Sequence, residues 1–261
     1  MKRQSAAVDR SEQAGHATLR SVRVAVLSDI HANLAALDAV LAAIPSVDEV
    51  WQLGDVVGYG PQPDEVVARL RDIGARGVRG NHDAAATGGL EIDSFNADAR
   101  RAMEWTRTAI AADTRAWLAA LPERLEREGF TLVHGSPRDP IWEYVTSTPV
   151  ARAAIAAMDT PFGLHGHTHV PVAYLEDDGQ LETMSPGAGS RITFGKHRAL
   201  LNPGSVGQPR DGIPTASWLL LDSDDGTGTW HRTAYDVGVV QEAMEAQGLP
   251  ERLVARLAYG L

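Results

Sequence analysis

Short apolar runs typical of β-strands alternate with segments of helical spacing in the first eighty residues of this chain. Residues 22–27, 49–53 and 75–79 are the strand-like runs, and the first is rich in β-branched side chains. Between them, apolar residues recur at the spacing of one helix face, and the second helical segment opens at Pro63 and ends at Gly74. This β-α-β-α-β order predicts parallel strands joined by right-handed crossovers, and therefore an α/β fold.

The pattern of the chain changes near residue 170. Before that point we predict helices over 96–120 and 149–158 and strands over 130–134 and 161–165. Asp113 is predicted to cap the second part of the helix over 96–120. After it, short runs separated by Gly-containing turns predict antiparallel strands up to residue 235. The last segment, 239–257, is interpreted as one or two helices that break at Gly248-Leu-Pro250.

The domain organisation is simple. No linker or internal repeat interrupts residues 21–261, so we predict one domain there, preceded by a flexible tail over residues 1–20. The domain is expected to contain two sheets, the first mostly parallel and the second mixed.

The composition excludes several classes of protein. The 261 residues contain no cysteine, which removes disulfides, zinc–thiolate and iron–sulfur sites and cysteine nucleophiles. With 24 basic against 34 acidic side chains the formal charge is −10, so stable binding to nucleic acid is not expected. The sequence has neither a secretory signal nor the run of about 18 apolar residues that a membrane span needs, and we therefore expect a cytoplasmic protein without membrane contact.

Five clusters of polar residues each follow a predicted strand directly. They are Asp29-Ile-His31, Gly54-Asp55, Gly80-Asn81-His82-Asp83, His134-Gly135 and His165-Gly-His167-Thr-His169. Because the carboxyl ends of neighbouring parallel strands meet at one edge of a sheet, we expect these clusters to converge in space. Six of the nine histidines lie in them.

Imidazole, carboxylate and amide groups together are typical of a transition-metal site. This mixture suits manganese, iron, cobalt, nickel or zinc better than an all-oxygen calcium or magnesium site. Seven candidate ligands are too many for one ion with open positions, but they suit two ions about 3.5–4 Å apart that share a carboxylate. The alternation of His165, His167 and His169 is the most telling cluster, since alternate residues of an extended segment face one way. Each other cluster by itself also fits a helix cap or a tight turn.

Taken together, the clusters resemble the motifs of the calcineurin-like metallophosphoesterases, and within that superfamily the small bacterial and archaeal YfcE-like phosphodiesterases. The similar motifs are D-x-H at 29–31, G-D-x-x-G at 54–58, G-N-H-D at 80–83, H-G-S-P at 134–137 and G-H-T-H at 166–169, together with Gly-Tyr-Gly-Pro at 58–61 and the segment 202–210. The resemblance covers roughly residues 22–235. It implies an α/β fold of four layers, an αββα sandwich of two mixed sheets flanked by helices.

The resemblance also implies a role for each motif residue. Asp29, His31 and His169 would hold one divalent ion; Asn81, His134 and His167 would hold the other; and Asp55 would bridge them. His82 matches the histidine beside the scissile phosphate, which stabilises charge or protonates the leaving oxygen, and Asp83 would orient it. His165 has no ligand role in the family, and we leave it as a neighbour of the site or a packing residue.

The implied chemistry is the hydrolysis of a phosphate ester, first of all a phosphodiester, by attack of a metal-bridging hydroxide. Two dications, two aspartates and one hydroxide leave a net charge of roughly +1 to meet a phosphate anion. We expect manganese, with iron, zinc, nickel or cobalt as alternatives. Arg138 and Arg210 lie beside motif loops and are candidate substrate ligands, although loop arginines are often merely exposed. Trp142 and Tyr59 are either a wall for a base or packing residues.

Several functions remain open at this point. The same motifs serve a phosphomonoesterase, a cyclic-nucleotide phosphodiesterase, a dinucleoside-polyphosphate hydrolase or a protein phosphatase, and a non-catalytic scaffold of the same fold is a further alternative. The complete motif set, including His82, favours catalysis. The expected partner is a small phosphate ester or a nucleotide, and a homo-oligomer is left open.

Overall fold

The computed structural model describes residues 22–93, 95–195 and 197–261, and the tail predicted over 1–20 lies outside the described residues. The helices are α1 (Leu34–Ala43), α2 (Pro63–Asp72), α3 (Asn81–Ala86), α4 (Ala97–Ala109), α5 (Ala112–Ala120), α6 (Thr148–Ala156), α7 (Val237–Ala246) and α8 (Glu251–Arg256). The strands are β1 (Arg23–Leu27), β2 (Glu49–Gln52), β3 (Arg76–Gly77), β4 (Arg124–Arg127), β5 (Phe130–Val133), β6 (Phe162–Leu164), β7 (Val172–Asp177), β8 (Gln180–Met184), β9 (Arg191–Thr193), β10 (Arg198–Asn202), β11 (Ala216–Asp222) and β12 (Thr227–Thr233).

The first sheet has the strand order β3-β2-β1-β11-β12-β9. Strands β3, β2 and β1 are parallel, which confirms the β-α-β-α-β prediction. The expectation that this sheet is mostly parallel is wrong, because β11, β12 and β9 extend it beyond β1 in antiparallel pairing. A tight turn joins β11 to β12, and such a turn can join only antiparallel neighbours. The pairs β1–β11 and β12–β9 bring together segments that are distant in the chain.

The second sheet has the order β4-β5-β6-β10-β7-β8 and is mixed, as predicted. Its centre, β5-β6-β10, is parallel, and antiparallel strands complete it on both sides. Strand β4, with the sequence Arg-Leu-Glu-Arg, lies at the sheet edge and was not predicted. Its charged side chains hide the strand pattern and suit an edge, where charges discourage pairing with another chain.

Alternate residues of the strands supply the two faces of each sheet. Val24 and Val26 of β1 point into the core between the sheets, whereas Ala25 and Leu27 point toward the helices packed on the outer face. On the far side, Ile155 of α6 packs against the second sheet. The four layers of the predicted αββα sandwich are therefore present, and each fully buried aliphatic side chain contributes roughly 1.5–3 kcal/mol.

The helical segment predicted over 96–120 is divided into α4 and α5. Asn96 caps α4 by accepting a hydrogen bond from Ala99 N. The expectation that Asp113 caps the second helix is wrong: α5 begins after Ala111, whose backbone N–H donates to the carboxylate of Asp64 on α2. A distant side chain thus replaces the local cap. Within the described ranges, none of the helices combines the length and the apolar character needed to cross a bilayer.

Candidate metal centre

The loops that follow the strands of both sheets meet at one edge of the sandwich. Backbone hydrogen bonds join them: Asp29 N donates to Gly54 O at 3.1 Å, and His31 N donates to Asp55 O at 2.9 Å. These bonds fix the loop after β1 against the loop after β2. The loops of the second sheet reach the same place, so side chains up to 140 residues apart in sequence become neighbours. This agrees with the prediction that the polar clusters converge in space.

One group of buried side chains contains Asp29, His31 and His169. The Nε2 atoms of the two histidines lie 3.1 Å apart, and His169 Nε2 lies 3.2 Å from Asp29 Oδ1. Asp55 Oδ2 lies 3.7 Å from His31 Nε2. One ligand atom of each of these four residues therefore falls within 4.8 Å of the others.

A second group surrounds His134. Its Nε2 lies 3.0 Å from Asn81 Oδ1, 3.0 Å from His167 Nδ1 and 3.4 Å from Asp55 Oδ2. The same oxygen of Asp55 therefore approaches both groups. All four side chains are buried.

The donor set has the chemistry of a cation site. Three imidazoles place Nδ1 near a backbone carbonyl: His31 at 3.2 Å from Val57 O, His134 at 2.8 Å from Leu53 O, and His169 at 2.6 Å from Gln208 O. A carbonyl only accepts, so each Nδ1 carries the hydrogen, and each ring in its neutral form presents its Nε2 lone pair to the cluster.

Lone pairs and carboxylate oxygens then face each other, and the buried Oδ1 of Asp29 has no hydrogen-bond partner in the part of the chain that the structure describes. Acceptors that face acceptors are unfavourable unless a cation or protons lie between them. The residues present thus fit divalent metal ions.

Burial and charge shift the titration of these groups in opposite directions. Burial raises the pKa of Asp29 to about 7, although His134 opposes the shift. Burial lowers the pKa of His31 and of His169 well below the ordinary value. Burial opposes protonation of His134 too, but the charge and hydrogen bond of Asp55, together with the charge of Asp29, raise the pKa of His134 to about 9. The pocket therefore favours positive charge beside Asp55, where a cation would stabilise the carboxylate.

The backbone is strained at the same positions. Asp29, His31, Asp55, His167 and His169 all have positive φ, between 48° and 65°. Such angles are uncommon outside glycine and cluster where a site requires them. The segment that contains His167 and His169 is therefore not extended, and the two side chains enter different groups. The expectation that His165, His167 and His169 face one way along an extended segment is therefore wrong, although His167 and His169 do reach the cluster.

His82 lies beside the cluster, and its backbone N–H donates to Asp55 Oδ1 at 2.9 Å. The ring is buried and its Nδ1 has no hydrogen-bond partner. A methyl group on Gly58 would collide with this Nδ1, so Nε2 is the ring nitrogen left for a ligand. Burial lowers the pKa of His82 to about 4, and the imidazole is therefore neutral near pH 7. His82 lines a cavity of about 140 Å³.

Asp83 does not orient His82, so that prediction is wrong. Its Oδ1 accepts a hydrogen bond from Val57 N at 3.1 Å and its Oδ2 accepts one from Gly80 N at 3.0 Å. The carboxylate therefore holds two backbone loops, and the imidazole of His82 is positioned by packing.

The two arginines differ in position. Arg138 pairs with Glu143 through Nε, at 3.1 Å, and through Nη2. Its charge is already balanced. Arg210 donates to Gln208 Oε1 at 2.9 Å, lies 5.8 Å from the ring centre of Tyr59, and has a buried Nε without a partner. Arg210 is thus the better placed candidate for a phosphate group.

Some residues that support the site were missed by sequence reasoning. Ser28 Oγ donates to Asp29 Oδ2 at 2.6 Å, and Asn202 Nδ2 donates to Gly166 O at 2.8 Å. Two features of the sequence could have pointed to these residues. Ser28 is adjacent to Asp29, and Asn202 begins the segment 202–210 that resembles a family motif. His165 is buried and remains outside both ligand groups, with Nδ1 3.4 Å from Asn202 Nδ2.

Comparison with known proteins gives a consistent result. A family model for the calcineurin-like phosphoesterase superfamily domain matches residues 22–226. An uncharacterized protein of Methanocaldococcus jannaschii is 35% identical over 249 residues, which are 91% of this chain and 98% of that protein. The crystal structure of a metallophosphoesterase from Sphaerobacter thermophilus is 43% identical with a TM-score of 0.85, and the similarity covers 93% of this chain and all of that one.

A more limited similarity concerns an enzyme with a named substrate. The symmetrical bis(5′-nucleosyl)-tetraphosphatase of Nitrosococcus oceani is 31% identical over 143 residues, which are 50% of this chain and 49% of that protein.

Proposed function

This chain belongs to the calcineurin-like phosphoesterase superfamily, and we propose that it hydrolyses phosphodiesters at a centre of two divalent metal ions. In this proposal the first ion is held by Asp29, His31 and His169, the second by Asn81, His134 and His167, and both by Asp55. The carrying observation is that Asp55 Oδ2 lies 3.7 Å and 3.4 Å from the Nε2 atoms of His31 and His134, one in each group. One carboxylate oxygen within reach of two ligand groups suits a bridge between two ions.

Manganese is the proposed metal. The ligand groups mix imidazole nitrogen, which also suits iron, nickel and zinc, with carboxylate and amide oxygen, which suit manganese. Two such ions would supply Lewis-acid charge for the phosphoryl oxygens and would lower the pKa of a water molecule.

The side chains around the ions have separate tasks in this proposal. His82 donates a hydrogen bond from Nε2 to the oxygen that leaves, since the neutral ring has a proton to share but no excess charge. Arg210 binds a phosphoryl oxygen through its guanidinium group, whose Nε has no hydrogen-bond partner among the described residues. Of these two tasks, stabilising the charge that develops on the leaving oxygen contributes more to the rate than binding the phosphoryl oxygen does. The reason is that the site is buried and of low dielectric.

A second candidate function is the hydrolysis of dinucleoside polyphosphates. The similarity to the tetraphosphatase of N. oceani favours it, although that similarity covers only half of each chain. The two candidates share the metal centre and differ in the substrate that the surrounding surface accepts.

A panel of substrates tests the proposal. Manganese-loaded protein is incubated with bis(p-nitrophenyl) phosphate, p-nitrophenyl phosphate, cyclic nucleotides and diadenosine tetraphosphate. We expect the diesters to be hydrolysed fastest and a chelator to abolish the activity. Bound metal without hydrolysis of any substrate would favour a scaffold, and a preference for diadenosine tetraphosphate would favour the second candidate.

Two variants separate metal binding from turnover. Asp55→Asn removes the shared charge, and we expect it to lose both bound metal and activity. His82→Ala should keep its metal content and lose about 10²- to 10³-fold in kcat, the usual cost of removing one hydrogen-bond donor to a developing negative charge. Metal analysis and steady-state kinetics check both, and wild-type turnover by His82→Ala would exclude its proposed role.

A further inference from the structure

Aromatic side chains line the cavity beside His82. We call this cavity the aromatic cleft; its lining residues are Tyr59, Asn81, His82, Phe95, Asn96, Ala99, Trp142 and Tyr144. Seven of these eight residues, all except His82, have side chains that are uncharged at neutral pH. A charged group would therefore find no counter-charge on the walls that these seven residues form, whereas a flat uncharged ring would find several partners.

Ring contacts connect the cleft to the candidate metal centre. The ring centre of His82 lies 4.4 Å from that of Tyr59 and 5.0 Å from that of Phe95. Phe95 in turn meets Trp142 edge to face at 5.8 Å. Tyr144 stacks on His167 at 3.7 Å with an angle of 24° between the rings. The cleft therefore adjoins both the proposed leaving-group histidine and a proposed metal ligand.

The rings at the mouth of the cleft are exposed. Tyr59 and Phe95 are only 7% and 8% exposed, but Trp142 and Tyr144 are 36% and 48% exposed. Packing of the protein interior thus explains the first two rings and leaves much of the other two open to a ligand. Exposed aromatic surface beside a site is typical of a binding surface.

The loop that carries these two rings is held in place by hydrogen bonds. Trp142 N donates to Asp139 Oδ1 at 3.1 Å, and Tyr174 Oη donates to Val145 O at 3.2 Å from the second sheet. Little conformational freedom is then lost when a ligand enters, which favours affinity.

We propose that the aromatic cleft binds the nucleobase of a nucleotide substrate, on the leaving-group side of the bond that is cleaved. The inference rests on the proposed function, because His82 lines the cleft and is the residue proposed to meet the leaving oxygen. Every base has a π-face that can stack on aromatic side chains. Asn96 uses its Oδ1 to cap α4, and its amide nitrogen remains able to donate to a base edge.

Binding measurements test this inference separately from catalysis. Adenosine 5′-monophosphate and ribose 5-phosphate differ only by the base, and phenyl phosphate carries a ring that is not a nucleobase. By isothermal titration of the manganese-loaded protein, we expect the monophosphate to bind about 10-fold more tightly than either other ligand, equivalent to about 1.4 kcal/mol.

Variants locate the effect. Trp142→Ala should bring the ratio between adenosine 5′-monophosphate and ribose 5-phosphate close to one, and Trp142→Phe should restore most of it. Tyr259→Ala is the matched control, because Tyr259 is 65% exposed and lies outside the cleft. Thermal unfolding of each variant checks that the fold is intact.

The outcomes are distinct. The inference is overturned if the wild-type protein binds adenosine 5′-monophosphate and ribose 5-phosphate equally well, or if Trp142→Ala leaves the ratio of these affinities unchanged. It is also overturned if the wild-type protein binds phenyl phosphate as tightly as adenosine 5′-monophosphate. If no phosphate ester binds at all, the proposed function fails, and saturation-transfer NMR with adenosine then tests the cleft by itself. Saturation transfer to the adenine protons that is lost in Trp142→Ala supports the inference. Absence of that transfer overturns it.

Discussion

The proposed metal ligands occupy backbone conformations that their residue types disfavour. Asp29, His31, Asp55, His167 and His169 have positive φ, and strain of this kind costs on the order of 1–3 kcal/mol per residue. The strain persists because loop-to-loop hydrogen bonds, such as that from His31 N to Asp55 O, fix the surrounding backbone. The site is therefore built at the expense of local stability.

Gly58 illustrates how one residue positions another. Its φ is +90°, and an added methyl group would meet Nδ1 of His82 and lie 3.0 Å from its Cγ. We expect Gly58→Ala to displace the His82 ring and to lower kcat by about 10-fold or more, as a displacement near 1 Å can, while metal content is retained. Kinetics and metal analysis measure both quantities.

Gly88→Ala is the control for this prediction. Gly88 has a similar φ of +82°, but among the described residues, apart from its two chain neighbours, no atom lies within 4 Å of the position its methyl group would take. Both variants then carry the backbone cost, and only Gly58→Ala carries the collision. Equal losses of kcat in the two variants would show that backbone strain alone, not contact with His82, causes the effect.

Among the secondary-structure elements, strands β2 and β4 join the two sheets through an ion pair. Arg127 of β4 donates from Nε to Glu49 Oε2 of β2 at 2.6 Å, and Trp51 Nε1 donates to the same carboxylate at 2.7 Å. The hydrogen bond from Arg127 holds the pKa of Glu49 below its ordinary value of 4.5. The pair is partly exposed, so we expect Glu49→Gln to lower the free energy of unfolding by only about 1 kcal/mol at pH 7.

The pH dependence of this difference follows from the lowered pKa. The stabilisation is complete above the unfolded pKa and is lost as the pH falls through the lower folded pKa, so wild type and Glu49→Gln should converge in acid. Urea unfolding at several pH values measures the difference. Asp38→Asn, which breaks an exposed pair with Arg69 inside the helical layer, is the control with a smaller expected effect. A difference for Glu49→Gln that persists undiminished at pH 3 contradicts the assignment.

For the whole molecule, the proposed metal centre lies where the two sheets of the sandwich meet. Its proposed ligands follow strands of both sheets, so bound metal should stabilise the complete fold. At a free metal concentration of 100 times Kd the gain is about 2.7 kcal/mol, which raises Tm by roughly 5–10 °C at this chain length. Thermal scans with manganese and with chelator measure the shift. Asp55→Asn should show little of it, and a wild-type Tm indifferent to manganese would speak against the centre.

Local sequence determined the frame of this protein. Strand-like runs and helix spacing predicted the parallel half of the first sheet, and Gly-containing turns predicted antiparallel strands after residue 170, because each signal lies within a few neighbouring residues. The position of polar clusters at strand ends predicted which side chains would converge, from Asp29 to His169, because parallel strands bring their ends to one edge.

Tertiary structure alone decided the rest. The addition of β11, β12 and β9 to the first sheet, the charged strand β4 and the cap that Asp64 provides for α5 depend on contacts between distant segments. So do the bonds of Asp83 to two backbone loops and the grouping of Phe95 with Trp142 around His82. No local pattern records such contacts, because each is set by how the layers pack rather than by the residues adjacent in the chain.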